Sequence, residues 1–174
     1  TQINPDSTSI GLFRVRGVIN SNSSIYDRFA RSFEHTTGKD TMFFRFHPDM
    51  FSLASPDSLT FTVTWLDKNA NSTWALKYYN ASGLQTALNI TGIGDNQWKN
   101  SSVTINDAIV NQSGIYGSNF SLINTDSIDD IFHSIETEIS RIENQTHVNE
   151  LACSSDISVF PNPASSILFF DKNI

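Results

Sequence analysis

The chain of 174 residues contains a single cysteine, Cys153. One thiol cannot form an intramolecular disulfide, and it excludes the cysteine-rich zinc sites that need several thiolates. The four histidines, His35, His47, His133 and His147, are dispersed along the chain, and no two stand four residues apart as they would on a metal-binding helix. The sequence therefore excludes a disulfide scaffold and the common zinc motifs.

Long apolar runs and basic charge are also scarce. No run approaches the ~20 apolar residues of a membrane-spanning helix, and no charged-then-apolar leader stands at Thr1. We take Thr1 as a processed or cut start, so the missing leader does not argue for a cytoplasmic protein. The 11 basic and 18 acidic side chains give a net charge of -7, which indicates no basic face for nucleic acid. We expect neither membrane insertion nor a nucleic-acid partner.

Alternation of apolar and polar residues is the main pattern that is present. In "SLTFTVTWLD" the residues Leu59, Phe61, Val63 and Trp65 alternate with threonines, which predicts a strand with one buried and one wet face. "WALKYY" follows after a polar turn, so the two runs predict a hairpin. Similar runs separated by turn residues are TMFFRFH, LQTALNIT, WKNSSVTI and SNFSLIN. Many short strands at this spacing predict an all-β fold, an antiparallel β-sandwich of jelly-roll type.

Two segments are less regular. "IDDIFHSIETEISRI" fits an amphipathic helix by its spacing, but it also fits a strand, and its β-branched residues favour the strand. That strand would carry on one face Ile131, His133, Ile135, Thr137 and Ile139. Near the start, "GLFRVRGVI" and "YDRFARSFE" predict one or two strands joined by the polar loop Asn20 to Ser24.

The last residues carry a recognisable signature. Residues 144–156 are polar and aperiodic, which predicts a linker. Residues 157–174 contain Pro161-Asn162-Pro163 between two apolar runs, and this stretch resembles the opening of the C-terminal sorting domain of type IX secretion in Bacteroidetes. A complete sorting domain is longer, so we expect a truncated one. The resemblance implies a protein that is secreted or held at the cell surface.

The upstream block resembles a second family. "FTVTWLDKNANSTWALKYYNASG", "WKNSSVTINDAIV" and "NFSLIN" are similar to carbohydrate-binding-type β-sandwich modules of secreted polysaccharide-degrading enzymes, such as agarases and ulvan lyases. Trp65 replaces a tyrosine of that pattern, Asn119 an aspartate and Val110 an aromatic residue. The resemblance covers roughly residues 25–142 and makes residues 1–143 the expected module. It implies a polysaccharide ligand, algal cell-wall glycan in particular, and a catalytic domain elsewhere in the same parent chain.

Candidate glycan contacts are aromatic and basic side chains, since sugar C–H faces stack on aromatic rings and arginine binds carboxylate or sulfate. We predict that Trp65, Trp74 and Tyr78 lie in the core, and the resemblance makes Trp98 a structural anchor. Packing or an ordinary strand-face ion pair is an equal or better explanation for each remaining candidate. The candidates are Tyr26, Arg28, Arg31, Arg45, Lys77, Tyr79 and Tyr116.

A calcium site is the candidate metal centre. "DSIDD" offers the hard oxygen ligands of Asp126, Asp129 and Asp130. By analogy with the resembling modules we expect one structural calcium ion there, and a solvated turn is the alternative. "DKNAN" begins like an EF-hand loop but lacks its later glycine and glutamate, so an EF-hand is excluded.

Catalysis is the weaker functional hypothesis. Glu34 with His35, or His133 with Glu136 and Glu138, could supply an acid and a base, but their spacing does not require it. No nucleophile elbow, HExxH motif or phosphate-binding loop is present. We predict a monomeric, noncatalytic glycan-binding module. The alternatives are a ligand-free spacer domain and a jelly-roll lyase or hydrolase domain.

Overall fold

The computed structural model describes residues 1–18, 25–51 and 56–141, together with two short strands near the C-terminus. One four-residue helix, α1 (Pro5–Thr8), and three 3-10 turns accompany the strands. None of the helices in the described ranges has the length and apolar content needed to cross a membrane. The first ten strands are β1 (Gln2–Ile3), β2 (Phe13–Val18), β3 (Ile25–Ser32), β4 (Thr41–Phe44), β5 (Ser58–Asp67), β6 (Ala70–Asn80), β7 (Gly83–Ile93), β8 (Gln97–Ile105), β9 (Phe120–Asn124) and β10 (Ile131–Ser140).

The strands form two sheets whose order defines a jelly roll. Sheet A has the order β1-β4-β9-β6-β7, and sheet B closes on itself in the order β10-β3-β2-β8-β5. The order β4-β9-β6-β7 packed on β3-β10-β5-β8 is the strand order of a jelly roll. The predicted fold is therefore confirmed. One pair is parallel, a single bridge between Val18 and Gln97, and the others are antiparallel.

Strand β5 shows why the sandwich forms. Leu59, Phe61, Val63 and Trp65 alternate toward the interior and are buried. The threonines between them bond across the outer face to β8, as in the 2.8 Å contact between the hydroxyls of Thr60 and Thr104. The alternating sequence thus builds one dry face and one hydroxyl-lined face, as predicted.

The core between the sheets is rich in aromatic rings. The rings of Phe61 and Phe120 lie 4.7 Å apart, and Trp74 packs edge-on against Trp65 at 5.5 Å and Phe132 at 5.2 Å. The predictions that Trp65, Trp74 and Tyr78 are core residues are confirmed. These contacts form a tightly interlocked centre for the main cluster.

Trp98 belongs to a smaller cluster under β2. It is buried with Ala30, Leu66 and Ile131, so its predicted structural role is confirmed. Gly17 on β2 lies against the indole, where an added Cβ would stand 2.7 Å from Nε1. A glycine is needed here because the backbone of β2 touches the ring.

The segment "IDDIFHSIETEISRI" contains strand β10, so the strand prediction is confirmed. Its side chains, however, do not all face the way that was predicted. A bulge between Phe132 and Ser134 shifts the alternation, so Phe132 packs in the core and His133 is exposed. Beyond the bulge Ile135 and Ile139 face inward. The prediction that His133 shares a face with the isoleucines was wrong, because one extra residue in a strand moves the side chains to the opposite face.

Residues 142–174 form a separate unit from residues 1–141. Within this unit β11 (Ser158–Phe160) pairs antiparallel with β12 (Phe169–Asp171), and Ser158 lies opposite Asp171. Two short strands therefore flank the Pro161-Asn162-Pro163 stretch. That stretch, the predicted linker 144–156 and the loop Asn20 to Ser24 lie outside the described residues.

Candidate functional site

The outer face of sheet A carries the best candidate site. Residues that alternate with the buried Met42, Leu76 and Leu122 point away from the core. Strand pairing aligns Phe43 on β4 with Ser121 on β9, and Ser121 with Lys77 on β6. Neighbouring strands are ~4.8 Å apart, so Phe43 and Lys77 stand about 10 Å apart across the face.

The loop between β8 and β9 adds Tyr116 to this face and packs against Tyr79 of β6. The amide of Ile109 donates to the carbonyl of Tyr79 at 2.8 Å, which holds the loop on β6. Gly114 lies against the ring of Tyr79, since an added Cβ would stand 2.5 Å from Cε2. Tyr116 packs edge-on against Phe43, with ring centres 5.3 Å apart. The surface formed by Phe43, Arg45, Lys77, Tyr79 and Tyr116 is called the sheet A platform below.

Asp107 anchors the start of the same loop. Its carboxylate accepts hydrogen bonds from the Tyr78 hydroxyl at 2.8 Å and the Asn80 amide at 2.7 Å. These bonds hold the pKa of Asp107 below its usual value. Burial, followed by the bond to Asp107, raises the pKa of Tyr78. The loop is thus tied to β6 at both Asp107 and Ile109.

Tyr116 is held in an uncommon backbone conformation. Its φ is 57° and its side chain is 62% exposed. The left-handed region is unfavourable for a residue with a bulky side chain and costs on the order of 1–3 kcal/mol. Bonds from Gly114 to Ser118 at 3.1 Å and from Gly117 to Gly114 at 2.9 Å hold the turn. Such strain beside an exposed ring is typical of a ligand-contacting position.

Two basic side chains complete the sheet A platform. Arg45 is exposed and Lys77 is half-buried. Among the described residues neither has an ion-pair partner. Both point outward, as predicted, and both remain available for a ligand.

A polar groove continues along the same face. Between β6 and β7 it encloses about 270 Å³ and is lined by Thr73, Asn89, Ile90, Thr91 and Thr125. The hydroxyl of Thr125 donates to that of Thr73 at 2.8 Å. Hydroxyl and amide groups at this position can exchange hydrogen bonds with a polar ligand.

A second cleft of about 220 Å³ opens between the sheets. Its wall includes the core residues Met42, Leu122 and Phe132, with Arg31 and His133 also lining it. Its floor is apolar and its arginine, Arg31, is already paired with Asp6, so this cleft is the weaker glycan site.

The remaining predicted contacts do not gather on the sheet A platform. Arg28 stacks over Trp98 at 5.4 Å. Arg31 faces the other side of β3 and binds Asp6 at 3.0 Å, with longer bonds to Ser9 and Ile10. Tyr26 pairs with Gly17 through its backbone, and its side chain lies outside the described residues. These residues belong to sheet B.

The three predicted calcium ligands are directed to different partners. Asp126 accepts from the amides of Thr73 at 2.5 Å and Ile128 at 2.6 Å, and Asp129 accepts from the amide of His35 at 2.8 Å. Across the described ranges no group of three or more histidine, cysteine or acidic side chains is placed to hold a metal. The calcium ion stays a prediction of the resemblance.

Asp130 is the buried member of this set. It is 2% exposed, and its Oδ2 has no hydrogen-bond partner. Burial raises the pKa of Asp130 to about 7. The hydrogen bond from Ser72 acts to lower this pKa, and the nearby carboxylates of Asp126, Asp67 and Asp129 act to raise it. The group is thus poised to change charge near neutral pH.

The predicted acid–base pairs are dispersed. Glu34 binds Lys39 at 2.8 Å, whereas His35 donates to Asp40 at 3.0 Å. His133 donates through Nδ1 to the carbonyl of Phe29 at 2.7 Å. The contacts of these side chains are structural in character.

Sequence reasoning missed Phe43 and Asp107. The alternation in TMFFRFH places Phe43 on the face opposite Met42 and Phe44, but Phe43 was not among the predicted glycan contacts. Asp107 lies in the "NDA" turn that carried part of the family resemblance. Its pairing with Tyr78 could not be found, because the partners are 29 residues apart.

Comparisons with known proteins give one structural likeness. No family model matches the chain, and no curated protein sequence matches it. The fold is similar to the carbohydrate-binding module of Cellvibrio mixtus lichenase 5A, solved in complex with cellotriose. The two chains are 13% identical, the match covers 79% of this chain and 95% of that one, and the TM-score is 0.35.

Proposed function

We propose that the chain is a noncatalytic polysaccharide-binding module that holds its ligand on the sheet A platform. The observation that carries the proposal is the convergence of Arg45, Lys77, Tyr79 and Tyr116 on one face. Four of the seven glycan contacts predicted from the sequence thus meet there, although they come from three separate stretches of the chain.

The chemistry of the sheet A platform suits a sugar chain. The rings of Tyr116 and Phe43 supply an apolar surface for sugar C–H groups, and the tyrosine hydroxyls can bond ring substituents. Lys77 and Arg45 can neutralise a carboxylate or sulfate group. The threonine-lined groove extends the polar contacts to further sugar units, so the ligand is an extended chain.

The biological setting is also part of the proposal. We expect the glycan to be an algal cell-wall polysaccharide, and the module to be exported by type IX secretion with an attached lyase or hydrolase. The support is the sequence resemblance of residues 25–142 and of the Pro161-Asn162-Pro163 stretch. Binding would raise the effective concentration of the enzyme at an insoluble substrate.

The test is affinity electrophoresis against agarose, ulvan, carrageenan, laminarin and hydroxyethylcellulose. Tyr116→Ala and Lys77→Gln should each weaken retardation by the bound glycan about fivefold or more, since each removes ~1 kcal/mol or more of contact. Ile93→Ala is the matched control, because Ile93 is an exposed apolar residue of β7.

Two outcomes would overturn the proposal. A chain that no glycan retards would be a ligand-free spacer. Release of reducing ends or of unsaturated uronate from any of the polysaccharides by the isolated chain would make it an enzyme domain.

A further inference from the structure

We infer that the outer face of the β2–β3 ribbon is a second binding site, which takes a polysaccharide bearing oxyanion groups, either sulfate esters or carboxylates. The ribbon consists of β2 and β3. It belongs to sheet B, and this inference does not depend on the sheet A platform.

Charge is distributed unevenly in the chain. Residues 10–33 contain four arginines and one acidic residue, Asp27, for a net charge of +3. The whole chain carries -7, so the other residues carry -10. Arg28 stacks inward over Trp98 and Arg31 pairs with Asp6, so the excess positive charge of the outer face comes from Arg14 and Arg16. On an acidic protein this local excess favours an anionic ligand.

Asp27 holds two guanidinium groups side by side. It binds Arg14 at 2.6 Å and Arg16 at 3.0 Å, and the two arginine side chains are 68% and 77% exposed. One carboxylate cannot neutralise two guanidinium groups, so one positive charge is left over. The contact to Arg16 uses Nε, which leaves the terminal nitrogens of this guanidinium for a bidentate bond to an oxyanion.

An aromatic ring completes the site. Phe29 lies directly opposite Arg14 on the neighbouring strand and is 61% exposed. Leu12, just before β2, is similarly exposed. The alternation that buries Phe13 and Val15 against Trp98 places Arg14 and Arg16 outward. A sugar can stack one face on the Phe29 ring while its charged substituent contacts the paired arginines.

The dimensions favour a single sugar chain over other polyanions. The face is two strands wide, about 10 Å, so it suits one extended polymer better than the plane of a membrane. Nucleic acid carries its phosphates densely, about one charge per 1.7 Å in a duplex, and these would meet the acidic remainder of the molecule. A polysaccharide with about one charge per sugar unit brings fewer negative charges close to the acidic remainder of the molecule.

The test compares polymers with the same backbone in affinity electrophoresis at low ionic strength. Dextran sulfate is set against neutral dextran, and polygalacturonate against its methyl ester, so that the sulfate and carboxylate sources are separated. The proteins are the full chain and the variants Arg14→Gln, Arg16→Gln and Lys68→Gln. Lys68 is exposed on the turn between β5 and β6, so its variant is a control with the same change in net charge.

We expect retardation by at least one charged polymer and none by its neutral counterpart. Arg14→Gln and Arg16→Gln should each weaken it about fivefold, and Lys68→Gln should leave it unchanged. Equal losses in Arg16→Gln and Lys68→Gln would overturn the site, as would the absence of retardation by both charged polymers. Stronger binding of an oligothymidylate or of phosphatidylserine vesicles, lost with the same arginines, would overturn the assignment to polysaccharide.

Discussion

The ammonium group of Lys99 binds the carboxylate of Asp67, whose side chain is 1% exposed. The amides of Gly94 at 2.9 Å and Ile93 at 3.0 Å donate to the same carboxylate. Although burial acts to raise it, the bonds from Lys99 and the two amides hold the pKa of Asp67 below its usual value. This buried ion pair joins the end of β5 to the turn after β7 and to β8.

Asp67→Ala should strongly destabilise the sandwich. Removing the carboxylate leaves the amides of Ile93 and Gly94 without an acceptor and leaves Lys99 with only its contact to Asp95. Each buried donor left unsatisfied costs about 1–3 kcal/mol. Urea unfolding measures the loss. Asp95→Ala is the control, because Asp95 binds the same lysine at 3.0 Å but is more exposed, and its loss should cost about 1 kcal/mol or less. Equal losses in the two variants would contradict the assigned role of the buried pair.

Asp130 should make the fold less stable as the pH rises. Its pKa is about 7 in the folded chain and about 3.9 in an unfolded one. Between these values the unfolded state releases the proton and the folded state keeps it, so stability falls from about pH 4 to about pH 7 and then levels off. The full effect is on the order of 4 kcal/mol.

Asp130→Asn separates this effect from that of other carboxylates. Glu34 and Asp67 have lowered pKa values, so their contributions are lost as the pH falls, and they act in the opposite direction. The difference between the native chain and the variant isolates Asp130. In urea unfolding, the free energy of unfolding of the variant relative to that of the native chain should increase from pH 4.5 to pH 8. Parallel pH profiles would show that Asp130 is ionised throughout.

Gly17→Ala should destabilise the small cluster under β2. The added methyl group would overlap Leu66 and stand 2.7 Å from the Trp98 indole nitrogen. Overpacking of this kind costs about 1–3 kcal/mol, or a drop of roughly 3–10 °C in melting temperature. Gly11→Ala is the control, since nothing lies within 4 Å of its added Cβ. A melting temperature equal to that of Gly11→Ala would show that the ring can move aside.

Truncation after Asn144 should leave the melting temperature of the sandwich nearly unchanged. The core clusters are made by residues 13–139, and the strand pair Ser158–Phe160 and Phe169–Asp171 belongs to the separate unit of residues 142–174. Differential scanning calorimetry of the two chains makes the comparison. A drop of several degrees would show that the C-terminal residues support the core.

Much of the fold could be predicted because apolar and polar residues alternate along a strand. This local alternation shows which side chains face the core. Leu59, Phe61 and Val63 needed only their alternation to be placed inside. The same reasoning failed at His133, since the bulge after Phe132 depends on how β10 pairs with β5. Arg28 and Arg31 were both candidate contacts, and their spacing of three residues along β3 puts them on opposite faces.

The sequence by itself determined the all-β class, the core aromatic residues and the acidic character of the chain, since these follow from local periodicity and composition. Only the tertiary structure decided which residues share a surface. The meeting of Phe43, Lys77 and Tyr116 and the bonds of Asp27 to Arg14 and Arg16 depend on strand order and register. Those are set by burial of the whole core and cannot be read from any one strand.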